Sequence, residues 1–513
     1  MNQHLPRRLG AIAGLVSGGF AVAIGIATAA VLDTPSPIDA VGSSFIDRTP
    51  AWLKEWAIQT FGTADKAVLR GGIFAVLAVA SAILGATGVD RLRRYVSGAV
   101  VFGILGSVAI AERPGHGITS HIAPWLGIVS GAVAYTVATD RWSARWWDRR
   151  TPHESRAPLG WDRRRFFRTT ATIGAAAAAT GIVGRVVSQQ RRGDYVAAVP
   201  NALPAVDDPS TPLIDEGFHP TEPFVTPAGD FYRIDTALSI PYTTVDKWSL
   251  SISGLVDQPL VLTYDDLVAR PQVERMITIC CVSNEVGGRY VGNAVWQGVL
   301  LADLLDEVGV KPEAEQLFSR SLDGWTSGFP IEVARDGRDA MIAIGMNGDS
   351  LPFEHGFPAR LIVPGLYGYV SATKWLSSIE LTTWADDVGY WVPLGWSRLA
   401  PIKTQSRIDV PRIGERVPAG RFRLAGVAWA THTGIERVEV RIDEGEWRVA
   451  ELSRDVSDDT WRQWVLDWDA TPGEHRVTVR ATDRSGYVQT SEQRAPAPDG
   501  ATGWHSRKFT VTD

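Results

Sequence analysis

Met276-Ile277-Thr278-Ile279-Cys280-Cys281-Val282-Ser283-Asn284-Glu285-Val286-Gly287-Gly288 is the stretch on which the reading of this chain turns. Its first half is apolar and rich in β-branched residues, as a buried strand is. Its second half is polar and ends in two glycines, as a loop does. A strand that ends in a thiol beside a polar loop places that thiol at the rim of a cavity. A buried structural cysteine reads the same way locally, because free cysteine is among the most buried residue types. The chain has 2 cysteines, and they are adjacent. Neighbouring cysteines cannot staple distant loops, and a zinc site needs spaced ligands. If either sulfur does chemistry, it does so as a single thiolate. Of the two, Cys281 directly precedes the loop, and Cys280 points to the other side of the strand.

Around this stretch the 513 residues divide into two unlike halves. Residues 1–190 hold the long apolar runs: Leu9–Leu32, Gly71–Val89, Tyr95–Ala111, Gly115–Thr139 and the Ala-rich Thr169–Gly184. A bilayer core takes roughly 20 apolar residues in a helix, with a lower limit near 17. The first four runs meet that limit; the fifth is marginal on length. Arginines concentrate in alternate loops, before the first run, between the second and third, and from Arg141 to Arg168 between the fourth and fifth. The positive-inside rule then puts the N-terminus in the cytoplasm and everything after about residue 190 outside it, on the surface of a bacterial plasma membrane. Arg163-Arg164-Arg165-Phe166-Phe167 before a weakly apolar segment also resembles a twin-arginine export signal, which moves folded, cofactor-loaded passengers. The membrane runs have no histidine at mid-depth, and His116 and His121 lie near an edge, so no intrinsic haem is expected. The net charge of −6 argues against a nucleic-acid partner.

The rest of the chain alternates polar and apolar residues. Residues 191–225 are rich in Pro, Asp and Ala and read as a linker. Residues 226–398 mix strands (Lys247–Leu255, Leu361–Val363, Ser378–Leu381) with short helices (Tyr264–Ala269, Leu300–Val308), an α+β pattern. Residues 399–513 read as an immunoglobulin-like β-sandwich: Glu436–Ile442 and Arg476–Ala481 alternate strictly, and Trp461, Trp464 and Trp468 mark a third strand. The expected fold is therefore multi-domain, with a helical membrane bundle, an α+β domain and a β-sandwich.

Three segments carry a family resemblance. Cys281–Gly288, followed by Val291-Gly292-Asn293-Ala294-Val295-Trp296-Gln297-Gly298, resembles the cofactor segment of the sulfite oxidase family. His355-Gly356-Phe357-Pro358-Ala359-Arg360, then Val363-Pro364-Gly365 and Ser371-Ala372-Thr373-Lys374-Trp375, is similar to that family's pterin- and phosphate-binding run. Phe231-Tyr232-Arg233-Ile234-Asp235 stands where the family has an aromatic–Arg–polar cluster. The resemblance spans roughly 215–513. It implies a molybdenum–molybdopterin cofactor with Cys281 as metal ligand, and Arg233, Ser283, Asn284, His355, Arg360 and Lys374 as cofactor contacts. It also implies Asp323 and Thr326 on the substrate side. The residue types suit the task, since a soft thiolate binds molybdenum, and Arg and Lys pair with the anionic pterin tail.

The implied activity is two-electron oxygen-atom transfer on a small, sulfur-containing substrate, with a separate cytochrome or quinone-linked electron carrier and a homodimer formed through the C-terminal domain. Sulfoxide reduction is the alternative within the family, and a non-catalytic membrane scaffold the alternative outside it. One departure stands out. Sulfite-oxidising members follow the ligand cysteine with an Arg-rich loop, whereas this loop carries Glu285, with Arg289 the nearby cation. Poor use of sulfite is the expectation. The export reading has a direct test: changing Arg163 and Arg164 together to Lys keeps the loop charge but should block translocation of the soluble half. Protease accessibility in spheroplasts reports the outcome, and a soluble half still digested from outside would show an ordinary membrane helix.

Overall fold

The computed structural model describes residues 5–61, 64–113, 116–139, 163–210 and 223–513. Arg141, Arg145, Arg149, Arg150 and Arg156 of the basic loop, and residues 211–222 of the expected linker, lie outside the described residues. The chain forms two compact units, Met1–Ala197 with Thr236–Ser239, and Ala198–Asp235 with Ile240–Asp513.

In the first unit, five helices are long and apolar enough to cross a membrane: Arg7–Leu32, Asp65–Gly88, Leu92–Ala111, Ile118–Ala138 and Arg163–Ala197. The fifth apolar run, marginal at about 24 Å of helix, extends through polar residues on both sides into a helix of 35 residues. Small residues let the first and second of these helices touch backbone to backbone. A Cβ on Gly14 would lie 2.2 Å from the carbonyl oxygen of Ser81, and one on Gly85 2.3 Å from that of Gly10. Tyr95 stacks on Tyr135 at 3.9 Å, and the Tyr135 hydroxyl donates to the Gly85 carbonyl at 2.7 Å. Between the first two of these helices the chain forms helices Pro37–Arg48 and Ala51–Phe61, which no apolar run marks in the sequence. The first begins at a capping Ser36, whose hydroxyl accepts the Asp39 N–H, with Pro at the first helical position.

The second unit is β-rich. One sheet of its central part orders β2 (Leu260–Thr263), β1 (Ser249–Gly254), β10 (Leu376–Thr382), β5 (Gln316–Ser321) and β6 (Thr326–Pro330), with β1 parallel to β10 and the other pairs antiparallel. The other orders β3 (Val273–Cys280), β4 (Val291–Leu300), β7 (Met341–Met346) and β8 (Asp349–Ser350), with β9 (Arg360–Ile362) also paired to β7. The helix expected over Leu300–Val308 forms at Leu301–Val308 and buries Leu301, Leu304, Leu305 and Val308, one stripe at helical spacing. With helices this short, the expected α+β pattern resolves as two sheets with helical connections.

The C-terminal part is a two-sheet sandwich. One sheet orders β11 (Gln405–Val410), β13 (Gly420–Trp429), β17 (Arg462–Ala470) and β16 (Glu451–Leu452). The other orders β12 (Arg416–Pro418), β19 (His505–Thr512), β18 (Gly473–Asp483), β14 (Ile435–Ile442) and β15 (Arg448–Val449). Trp464 is fully buried in its core, as the sequence pattern implied, whereas Val427, Trp429 and Trp461 join the core of the central part.

The free edge of β3 is where the two parts are sewn together. The Thr278 N–H donates to the Asp459 carbonyl at 2.9 Å, and the Trp461 N–H donates to the Thr278 hydroxyl at 2.8 Å. That hydroxyl also donates to Asn293 Oδ1 at 3.1 Å, and Thr278 is 0% exposed. Thr278→Val keeps the shape but leaves a buried N–H and amide oxygen unpaired, which costs about 1–3 kcal/mol. Urea denaturation followed by tryptophan fluorescence should show that loss. A change below about 0.5 kcal/mol, the size of an ordinary surface substitution, would mean that the edge is held by other contacts.

Candidate functional site

Strand β3 ends at Cys280, and the chain turns through Cys281–Tyr290 into β4. Three backbone-directed bonds close this turn. The Cys281 N–H donates to the Tyr290 carbonyl at 2.9 Å, the Asn284 N–H to the Cys281 carbonyl at 3.0 Å, and the Tyr290 N–H to Asn284 Oδ1 at 2.8 Å. Asn284, expected to contact the cofactor, thus spends its carbonyl oxygen inside the loop. Cys280 belongs to the apolar core with Val282 and Val291, and Cys281 stands outside that core. Burial pushes both thiols above their usual range, Cys280 the further. For Cys281 the backbone N–H and the hydroxyl of Ser283 pull the other way by hydrogen bonding to sulfur, which favours a thiolate.

Beside this thiol lies an aromatic wall with a cation set in it. Phe231 meets Trp296 edge-on at 5.8 Å and His355 at 5.7 Å, and stacks on Tyr232 at 5.3 Å. Burial drives the Tyr232 hydroxyl well above its usual value; the nearby Cys281 and Cys280 sulfurs push it the same way and Arg360 opposes them. Arg360, 4% exposed, lies 4.9 Å over the Trp296 ring. Its Nη1 donates to the His355 carbonyl at 3.0 Å, Nη2 reaches the Ala372 carbonyl at 3.5 Å, and its Nε is buried without a partner. No carboxylate lies within ion-pair distance of it among the described residues. Burial lowers its pKa to about 10, an unusual strain on a guanidinium.

Lys374 sits behind Arg360. Its Nζ donates to Asp235 Oδ2 at 2.7 Å and to the Glu354 carbonyl at 3.2 Å, and its side chain is 11% exposed. Burial brings it down to about 8 despite that carboxylate. The same Asp235 oxygen accepts Arg233 Nε at 3.0 Å. Burial raises Asp323, whose Oδ1 accepts the Trp325 N–H at 3.0 Å. His355 Nε2 bonds the Ala228 carbonyl at 2.8 Å, and burial lowers its pKa to about 4, so the ring is neutral.

The structure therefore brings together Cys281, Ser283, His355, Arg360, Lys374, Arg233 and Asp323. It does not tie Thr326 to them: Thr326 opens β6 and its carbonyl accepts the Tyr390 N–H. Its neighbour Ser327 instead forms a buried hydroxyl triangle with Ser319 and Thr373, at 2.7–2.9 Å. Arg233 and Lys374 share the carboxylate of Asp235, the buried Asp323 is held above the usual carboxylate range, and Arg360 has no carboxylate partner among the described residues. The surplus of positive charge and the orphaned Nε of Arg360 fit an anionic group. No group of three or more His, Cys, Asp or Glu side chains is placed to hold a metal among the described residues. A metal at Cys281 would have to arrive with ligands of its own, as one carried by a dithiolene does.

The model of the oxidoreductase molybdopterin binding domain matches residues 237–391, and that of the Mo-co oxidoreductase dimerisation domain matches residues 399–497. The uncharacterized oxidoreductase YuiH of Bacillus subtilis (strain 168) is 37% identical over 155 residues, 30% of this chain and 75% of that protein. The chain belongs to the sulfite oxidase family of molybdopterin oxidoreductases. This oxidoreductase is an enzyme, its cofactor is molybdenum–molybdopterin, and its dimerisation domain supports a homodimer. The nitrate reductase (NADH) 1 of Nicotiana tabacum is 30% identical over 194 residues, 33% of this chain but 21% of that protein. The crystal structure of the sulfane dehydrogenase SoxCD from Paracoccus pantotrophus aligns with a TM-score of 0.49 and 27% identity, covering 57% of this chain and 84% of that one.

Sequence reasoning passed over Asp235, Tyr232 and Trp296 as site residues, although all three lie inside the quoted segments. Their roles depend on partners far along the chain, Cys281 for Tyr232, Arg360 for Trp296 and Lys374 for Asp235, which no local pattern signals. The neutral His355 gives a pH test. Its folded pKa of about 4 lies below its ordinary 6.5, so the unfolded chain binds more protons between those values. Stability of the cofactor-free oxidoreductase should fall as pH drops from about 6.5 to 4, by on the order of 3 kcal/mol from this residue. His355→Gln should flatten that part of the stability–pH curve, and an unchanged curve would show that His355 is accessible to protons when folded.

Proposed function

We propose that this oxidoreductase carries out two-electron oxygen-atom transfer on a small, sulfur-containing substrate at the outer face of a bacterial membrane. Cys281 supplies the thiolate ligand to molybdenum. The bound cofactor contributes an oxo-transfer centre with an open face. Arg360 and Lys374 hold its anionic tail, Arg360 as a planar fork and Lys374 as a point charge. His355 and Arg233 complete that wall, and Ser283 opposes the rise that burial imposes on the Cys281 thiol. Asp323 and Thr326 line the substrate side. The five long apolar helices support membrane anchoring with the second unit outside, and electrons pass to a separate cytochrome or quinone-linked carrier.

One observation carries the reading: the buried Cys281 thiol stands beside a wall that holds a buried guanidinium without a carboxylate. Burying a lone cation costs several kcal/mol, which an anionic ligand offsets. A second reading, reduction of a nitrogen or sulfur oxide, draws on the match to nitrate reductase and uses the same residues in the opposite direction.

The test begins with molybdenum analysis and pterin fluorescence on the purified protein, followed by a panel of sulfite, sulfoxides and nitrate. Cys281→Ser should abolish turnover and alter the molybdenum spectrum while pterin stays bound. Cys280→Ser should change turnover less than about tenfold, the scale of one ordinary contact. Equal loss from the two changes, or loss from Cys280→Ser alone, would reverse the assignment.

A further inference from the structure

The Cys281 loop is held from outside its own domain. Gly287, at φ +76°, lies against the ring of His505: a Cβ there would meet His505 Nε2 and Cδ2 at 2.3 Å. His505 is fixed in turn, because its Nδ1 accepts the Ile408 N–H at 2.9 Å. The next residue, Gly288, presents its carbonyl to Arg407 Nη1 at 3.2 Å. Arg407 is 5% exposed and paired to Asp409 at 2.6 Å. From the other side Asn284 Oδ1 would lie 2.5 Å from a Cβ on Gly288. Two glycines are thus gripped between the loop's own amide and two side chains of the C-terminal sandwich.

We infer that the C-terminal domain completes the molybdenum centre by bracing this loop, with His505 and Arg407 as positioning residues for Cys281. The loop is tied to Cys281 through its backbone: the Asn284 N–H donates to the Cys281 carbonyl at 3.0 Å and the Cys281 N–H to the Tyr290 carbonyl at 2.9 Å. Its position therefore sets where the Cys281 side chain stands, and the surroundings of a ligand tune the metal it holds. Burial keeps His505 neutral, with a pKa of about 4, so the ring packs on Gly287 without bringing charge to the loop. Arg407 contributes a charge already balanced by Asp409. The brace works by shape and by one hydrogen bond to a carbonyl, and it needs both domains in one chain.

The inference rests on Cys281 being the ligand, and its test separates the two ideas. The readout is alkylation of Cys281 by N-ethylmaleimide in the cofactor-free, full-length protein in detergent, on a Cys280→Ser background. His505→Ala, Arg407→Ala and Gly287→Ala should each accelerate alkylation by about tenfold through local opening of the loop. Arg407→Lys, which keeps a donor for the Gly288 carbonyl, should stay within about threefold of the parent. In the loaded protein the same Ala variants should keep their molybdenum but shift the Mo(V) EPR signal. Combining Gly287→Ala with His505→Ala should give less than the product of the single effects, since one contact is removed twice. Alkylation within twofold of the parent in the Ala variants would overturn the inference. So would acceleration that follows the full denaturant slope of global unfolding, which marks a stability effect alone. If one variant does not fold, the other two decide. An unchanged molybdenum spectrum in Cys281→Ser would instead sink the ligand assignment and leave the brace result standing.

Discussion

Arg360 is a guanidinium taken out of water and given no carboxylate. The effective penalty for burying such an ion is several kcal/mol even after relaxation. Part is returned by the Trp296 face at 4.9 Å, an interaction of about 2 kcal/mol when desolvated. Two backbone carbonyls return more, yet Nε remains unpartnered. The protein tolerates this only because the surrounding structure over-determines it. Trp296 is fully buried and its indole N–H is tied to the Ile277 carbonyl at 3.1 Å. His355 is tied to Ala228, and Lys374 behind Arg360 is tied to Asp235. The cost is stored where a negatively charged ligand can recover it, so cofactor binding and folding of this wall are linked: a ligand that binds only the folded wall stabilises it by mass action.

The same constraint explains why the site was legible from sequence in some parts and not in others. Cys281, Arg360 and Lys374 stand in short segments whose residue types suit a thiolate and two anion-binding cations. None could be read alone, since a buried structural cysteine or a solvated surface cation looks the same locally, and the family order of the segments singled them out. Asp235 could not be read that way. Its carboxylate serves Arg233 two residues away and Lys374 at a separation of 139, and the second relation exists only in three dimensions. Asn284 was readable only in part: its residue type suggests a polar contact, but that its side-chain oxygen accepts the Tyr290 N–H inside the turn appears only in the structure. Arg407 and His505 carried no local signal at all, being more than 100 residues beyond the loop they touch.

Fold elements followed the same division. Strictly alternating strands such as Ile435–Ile442 and Gly473–Asp483, and the apolar helices, were readable because periodicity and length are local properties. Their ends were off by a few residues, where polar residues continue an element without leaving an apolar trace, most visibly in Arg163–Ala197. The helix Pro37–Arg48 was missed although its start is written in Ser36-Pro37-Ile38-Asp39, a cap followed by proline at the first position. The boundary near residue 399 was found from a change of pattern, yet the two β parts share a core through Val427, Trp429 and Trp461. A change of pattern marks where one architecture gives way to another; it carries no information on whether the two can part.

Electrostatics bear in turn on the choice of substrate. The positive charge of the wall is committed: Arg233 and Lys374 to Asp235, Arg360 to its buried position facing the cofactor's tail. At the loop, Glu285 and Arg289 are both exposed, and no ion pair joins them among the described residues. Arg407, the cation that does reach the loop, is neutralised by Asp409. Exposed unit charges at about 4 Å interact by only about 1 kcal/mol in water, so Glu285 repels an approaching anion weakly rather than barring it. Among the described residues, then, the loop after Cys281 offers no concentrated positive field to an approaching dianion. Such a rim separates small molecules by charge only weakly, and shape and hydrogen bonding deeper in the site have to do what charge at the entrance does not.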